Sequence, residues 1–165
     1  MGIIDTNIPA MNFYAKGIRV YSNVQSAKLY SADLQMLYNP IKSLSIFLNS
    51  KFTVGELYTG VPMPLIPPLK NIVAIQYQKN QFSLQTECES SMAQSRINKD
   101  YGERKTPAFT VLNIKSGYSI PLFKRTMDIG LGISNLFNKV YFEHLDWGRI
   151  NRSGRSLELF LKISY

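Results

Sequence analysis

From Asn39 onward the sequence is a series of period-two alternating runs, and the breaks between them are tight and long by turns. Tight breaks fall at Asn39-Pro40-Ile41-Lys42, at Lys79-Asn80-Gln81 and around 121–125, and long ones at 55–69, 93–108 and 138–154. A strand turns successive side chains to opposite faces, so each run reads as a strand with one apolar and one polar face. In an up-and-down sheet, this order of breaks gathers the tight turns at one end and the long loops at the other. Outer-membrane barrels have that asymmetry. The pattern therefore predicts an all-β fold, an antiparallel up-and-down transmembrane β-barrel segment of about eight strands. They are expected at residues 14–23, 28–38, 43–54, 71–78, 82–92, 109–120, 126–136 and 155–165. Several approach the roughly 9–11 residues that a tilted strand needs to cross a bilayer, against about five or six for a soluble strand.

Parity along these strands is consistent. The last ten residues put Leu157, Leu159, Leu161, Ile163 and Tyr165 on one face, against Ser156, Glu158, Phe160, Lys162 and Ser164. A charge on a lipid-facing wall costs about 2–4 kcal/mol at the bilayer midplane and little on the inner wall. Met127, Ile129, Leu131 and Ile133 alternate in the same way with Asp128, Gly130, Gly132 and Ser134. Strands that run towards the tight turns reach them with a tyrosine on the apolar face: Tyr38, Tyr77, Tyr118 and Tyr165. Tyrosine keeps its ring dry and its hydroxyl wet, so four at one level read as an aromatic girdle at the membrane boundary.

Composition excludes several function classes. There is no long apolar run, so helical membrane spans are ruled out. The formal charge is +8, but the cations gather between the strands and not along one helix or aromatic-studded face, which argues against nucleic acid. Arg96, Lys99, Arg104, Lys105, Arg149 and Arg152 fall in long breaks, where lipopolysaccharide phosphates or an anionic chelate would meet them. One cysteine, Cys88, and one histidine, His144, make no metal cluster, and no cofactor or catalytic residue is expected. Cys88 falls on the apolar face as a small apolar residue. Glu87 and Glu89 share the polar face and read as lumen carboxylates, and Gly130-x-Gly132 reads as small inward residues. Residues 1–15 lack a basic start and carry Asp5 and Pro9, so no secretion signal is visible. On the barrel reading, the beginning of the exported chain is expected to be missing.

The stretch from Gly130 through Asn135-Leu136-Phe137-Asn138-Lys139 to Tyr141, followed by Gly154-Arg155, resembles the C-terminal end of TonB-dependent outer-membrane receptors. Three earlier segments are similar to the same family in the same order. They are Asn23 to Ala27 with Tyr30-Ser31-Ala32-Asp33-Leu34, then Gly55-Glu56 with Ile66-Pro67-Pro68-Leu69, then Thr106-Pro107-Ala108-Phe109 with Leu112-Asn113. The resemblance implies that residues 1–165 are a C-terminal portion of such a barrel. Family members import scarce ligands such as ferric siderophores, haem or cobalamin. It further implies that the final strand, with Leu157, Leu159, Leu161, Ile163 and Tyr165, is read by the barrel-assembly machinery. Outer-membrane lipid and lipopolysaccharide would surround the wall, and TonB and a plug domain would meet only the full-length receptor. Ser31 departs from the family's usual glycine.

The segment 141–149 is the most polar-aromatic of the loops, and His144, Asp146, Trp147 and Arg149 are the candidate ligand contacts. Two rival readings remain at this level. One is a self-contained barrel of about eight strands with a structural or adhesion role, which needs 14–23 to pair with 155–165. The other is a soluble β-sandwich binding module.

Overall fold

The computed structural model describes residues 2–3, 19–20, 25–123 and 125–164. Strands β1 (Gly2–Ile3) and β2 (Arg19–Val20) pair with each other in a two-stranded ribbon. Seven further strands form one antiparallel sheet in chain order: β3 (Ala27–Ile41), β4 (Leu44–Leu57), β5 (Lys70–Lys79), β6 (Phe82–Ser91), β7 (Phe109–Leu122), β8 (Arg125–Ser134) and β9 (Ser156–Ser164). The only helical element among the described residues is a 3-10 turn at Trp147–Arg149. Most of the expected first strand, residues 14–23, lies outside the described residues, as does Tyr165. Arg19 and Val20, which are described, pair with Ile3 and Gly2 and not with β9.

The tight and long breaks fall where the alternation placed them, with two shifts. β3 runs on through Asn39 and Pro40 to Ile41, and the reversal is Lys42-Ser43. Proline lacks an N–H, but β3 is an edge strand whose register slips between Tyr38 and Ile41, and edges and bulges are where a sheet tolerates proline. β7 likewise continues past Ile120 through Pro121, which sits opposite Thr126. At Asn80 the second reversal takes φ 52°, the left-handed region that asparagine enters more readily than most residues.

Register carries the apolar parity across the whole sheet. Met127, Ile129, Leu131 and Ile133 lie opposite Ile163, Leu161, Leu159 and Leu157. Ile114, Tyr118 and Ile120 continue that face onto β7, Leu84 and Cys88 onto β6, and Val73, Ile75 and Tyr77 onto β5. Leu44, Ile46 and Leu48 extend it to β4, and Tyr38, Met36 and Leu34 to β3. No aspartate, glutamate, lysine or arginine interrupts this face between the turn ends and the loop ends. The opposite face carries Asp33, Lys51, Glu87, Glu89, Lys115, Asp128, Glu158 and Lys162. Few apolar side chains of the sheet are buried: Leu157, Leu159 and Leu161 are 80%, 76% and 63% exposed. A soluble sheet does not leave such a face uncovered.

The tyrosines report the tilt of the strands. Tyr38 is opposite Ile46 and Ile46 opposite Ile75, so Tyr77 lies two residues nearer the tight turns than Tyr38. Tyr77 is opposite Leu84 and Leu84 opposite Ser116, so Tyr118 lies two residues nearer again. A slide of two residues, about 6.6 Å, for every two strands, about 9.6 Å, slopes at about 35°. Strands that close into a barrel tilt by about that angle, and a wall tilted so in this sense would bring the three tyrosines to one level. Tyr30 lies eight residues before Tyr38 on the same face and is 66% exposed, which puts a second ring near the loop end. The span between them, about 27 Å of strand, gives roughly 22 Å of height at that tilt, close to the apolar band of a membrane barrel.

Candidate functional site: the loop rim

Three long loops, residues 58–69, 92–108 and 135–155, meet at the other end of the sheet. Glu103 in the second of them ties all three together. Its Oε1 accepts the Leu65 N–H at 2.6 Å and faces His144 Nε2 at 3.4 Å, while its Oε2 accepts the Asn98 N–H at 2.7 Å. Both side chains of the Glu103–His144 pair are buried, and the other ring nitrogen of His144 bonds Thr106 Oγ1 at 2.9 Å. The second loop also reaches the first through Gln94, whose amide donates to the Ile66 carbonyl at 2.7 Å, and through Asn98, which donates to that of Pro62 at 3.0 Å. Arg96 pairs with Glu56 at 2.6 Å.

The third loop is anchored by the asparagine of the Asn135-Leu136-Phe137 motif. Asn135 leaves β8 with φ 51°, is 4% exposed, and donates its amide to the Lys139 and Ser153 carbonyls at 2.8 and 3.2 Å. Its Oδ1 accepts the Lys139 N–H at 2.8 Å, and its own N–H donates to Asn113 Oδ1 at 2.9 Å. One buried side chain thus fixes both ends of the loop, because an unpaired amide there would cost about 1–3 kcal/mol. Leu136 N–H bonds the Leu112 carbonyl, and Phe137 is exposed. Asn138 Oδ1 accepts the Arg155 N–H at 2.9 Å; a Cβ at Gly154 would press on that oxygen at 2.6 Å, so glycine lets the chain pass.

Of the four candidate contacts, His144, Asp146 and Arg149 line one cleft of about 580 Å³ together with Leu65, Tyr101, Glu103 and Arg104. The Trp147 side chain lies outside the described part. Asp146 accepts the Glu143 N–H and two bonds from Arg152, at 2.9 and 2.7 Å. Arg149 donates to the Lys105 carbonyl at 2.8 Å, and its guanidinium lies 5.4 Å over the Phe142 ring. Lys70 meets Glu89 and Glu143 at 2.8 and 3.1 Å, joining the wall to the third loop, and Phe109 stacks on Tyr141 at 4.4 Å. Glu103, whose role has no periodic or motif signal, was not legible in the sequence. Its spacing to Leu65 and His144 exists only once the loops are folded.

The Arg152 bonds hold the Asp146 carboxyl below its ordinary value of 3.8, against the opposing effect of burial. A depressed folded pKa contributes stability above the unfolded value and loses it as pH falls through the folded one. The clamp between Asp146 and Arg152 should therefore stay closed at neutral and mildly acid pH and open only below pH 3.8. Fluorescence of the single tryptophan, Trp147, should report one acid transition of this loop, absent in Arg152→Gln. A transition that keeps its midpoint in that variant would refute the assignment.

The tilted sheet, its uncharged outer face and its loop-bearing rim define a segment of an up-and-down barrel of the outer-membrane kind. The same arrangement is found in a solved structure, described as the copper transporter OprC, to which this chain is similar with a TM-score of 0.73 and 21% identity. The match covers 84% of this chain and 23% of that one, so the fold is shared with part of a larger barrel. No family model matches the sequence, and no curated protein matches it.

Proposed function

We propose that this chain is the C-terminal wall and loop rim of a TonB-dependent outer-membrane transporter, a family that takes up metal chelates such as ferric siderophores and haem, or cobalamin. The observation that carries the reading is the uncharged face that crosses all seven strands. The TonB-dependent assignment is supported by the motif stretch around Asn135 and by the shared fold with a protein described as a copper transporter. Both outer edges of the sheet, on β3 and β9, are unpaired among the described residues. TonB and a plug domain would act on the complete receptor.

In this reading the cleft bearing His144, Asp146 and Arg149, with Trp147 on the same loop, is where ligand first touches the rim. The loop cations Lys99, Arg104 and Lys105 face lipopolysaccharide phosphates. Leu157, Leu159, Leu161, Ile163 and Tyr165 serve twice, against lipid and as the assembly signal. The test is a spin label at position 131 or 159 (Leu131→Cys or Leu159→Cys, each with Cys88→Ser) in reconstituted vesicles. Labels that collide with lipid-soluble oxygen and not with a water-soluble relaxant are expected. Labels that sense water or rigid protein packing would overturn the proposal.

A further inference from the structure

We infer that the tight-turn rim holds anionic phospholipid, through a phosphate seat formed by Lys42 and Lys79; the inference rests on the membrane reading above. The first reversal is stitched to the end of β5, since the Gln78 N–H donates to the Ser43 carbonyl at 2.8 Å and Leu44 lies opposite Tyr77. Continued one residue beyond the Ser43–Gln78 bond, that register brings the backbone of Lys42, in the turn, towards that of Lys79, and both residues are exposed. Neither side chain forms a hydrogen bond or ion pair among the described residues. Like charges at facing positions repel, and an anion between them removes the repulsion.

Among the described residues, the stretches flanking these two lysines carry no carboxylate side chain. Residues 39–46, 77–83 and 118–127, on the turns β3–β4, β5–β6 and β7–β8, contain no aspartate or glutamate. Aromatic residues gather at this end of the sheet: Tyr38, Tyr77 and Tyr118, with Phe82 opposite Tyr118 and Phe123 fully exposed at the tip of its turn. Lys79 follows Tyr77 by two residues on the same face, about 6.6 Å further out. Tyrosine rings mark the edge of the hydrocarbon, and a lysine just beyond them reaches headgroup depth with its stem along the apolar wall. The anion found at that depth is a lipid phosphate. The occupant is therefore a headgroup carrying net negative charge, such as phosphatidylglycerol, in the leaflet at the tight-turn end.

The test reconstitutes the full chain in phosphatidylethanolamine vesicles containing a minority of phosphatidylglycerol. After detergent extraction, the ratio of the two lipids retained on the protein is measured by mass spectrometry. The wild type should be enriched in phosphatidylglycerol, and Lys42→Gln with Lys79→Gln should lose that enrichment, by roughly fivefold per lysine. Lys42→Arg with Lys79→Arg should keep it, and excess inorganic phosphate should leave it unchanged. Equal enrichment in the glutamine variant, or displacement by inorganic phosphate, overturns the seat. Spin labels at positions 131 and 159 in the same vesicles separate the two proposals. Acyl contact without enrichment sinks the seat alone, whereas loss of acyl contact sinks the membrane reading with it.

Discussion

Gly130→Val will drive the Phe160 ring off the polar face of the sheet and loosen β9 from β8. Gly130 lies opposite both Gly117 and Phe160, and the ring of Phe160 covers the two glycines, its tip 3.8 Å from where a Cβ on Gly117 would stand. At Gly130 the space is already taken, because a Cβ there would fall inside the ring. Forcing a branched side chain into a filled site costs roughly 1–3 kcal/mol, and the ring additionally loses its seat. Denaturant unfolding of the reconstituted chain should show the loss, and Gly130→Val with Phe160→Ala should recover much of it, as expected for residues in direct contact. Unchanged stability in the single variant, or no recovery in the double, would show that the ring does not hold the final strand.

Leu131→Arg separates membrane from water most sharply. Leu131 is 61% exposed and faces Leu159, 76% exposed, in the middle of the uncharged face. On a soluble surface such an exposed leucine could be replaced within about 0.5 kcal/mol. Against hydrocarbon the same change should cost about 2–4 kcal/mol. Gln85→Arg, on the opposite face between Gln76 and Lys115, is the control and should be tolerated. Equal, small effects of both substitutions would remove the case for lipid contact.

The wall was legible in the sequence because it is built from period-two alternation, and alternation survives any uncertainty about where a strand stops. The placing of Tyr38, Tyr77 and Tyr118 on the apolar face was legible for the same reason, whereas their offset of two residues from one to the next required the register. Strand ends were less so: Pro40 and Pro121 look like terminators, yet both lie within strands, one on an unpaired edge and one just before a turn. The loop rim was mostly illegible. His144 was expected as a candidate ligand contact, and its side chain proves to be buried between Thr106 and Glu103, partners 38 and 41 positions away in the chain. Nothing periodic links such residues. Asn135 was visible as part of a motif, but its work, closing a loop of some twenty residues through its side chain, is a property of the fold. Phe160 broke the polar pattern of its own face, and the two glycines explain why.

The two outermost strands of the sheet, β3 and β9, point the same way, because seven strands alternate in direction. They cannot be zipped to each other in antiparallel fashion, nor can two copies sharing one membrane orientation join β9 to β3 except in parallel. Only an odd number of intervening strands lets the wall meet itself with every hydrogen-bond ladder antiparallel. A cylinder built on this sheet would therefore need added strands that begin and end running opposite to both margins unpaired among the described residues, in a number fixed in parity by these seven.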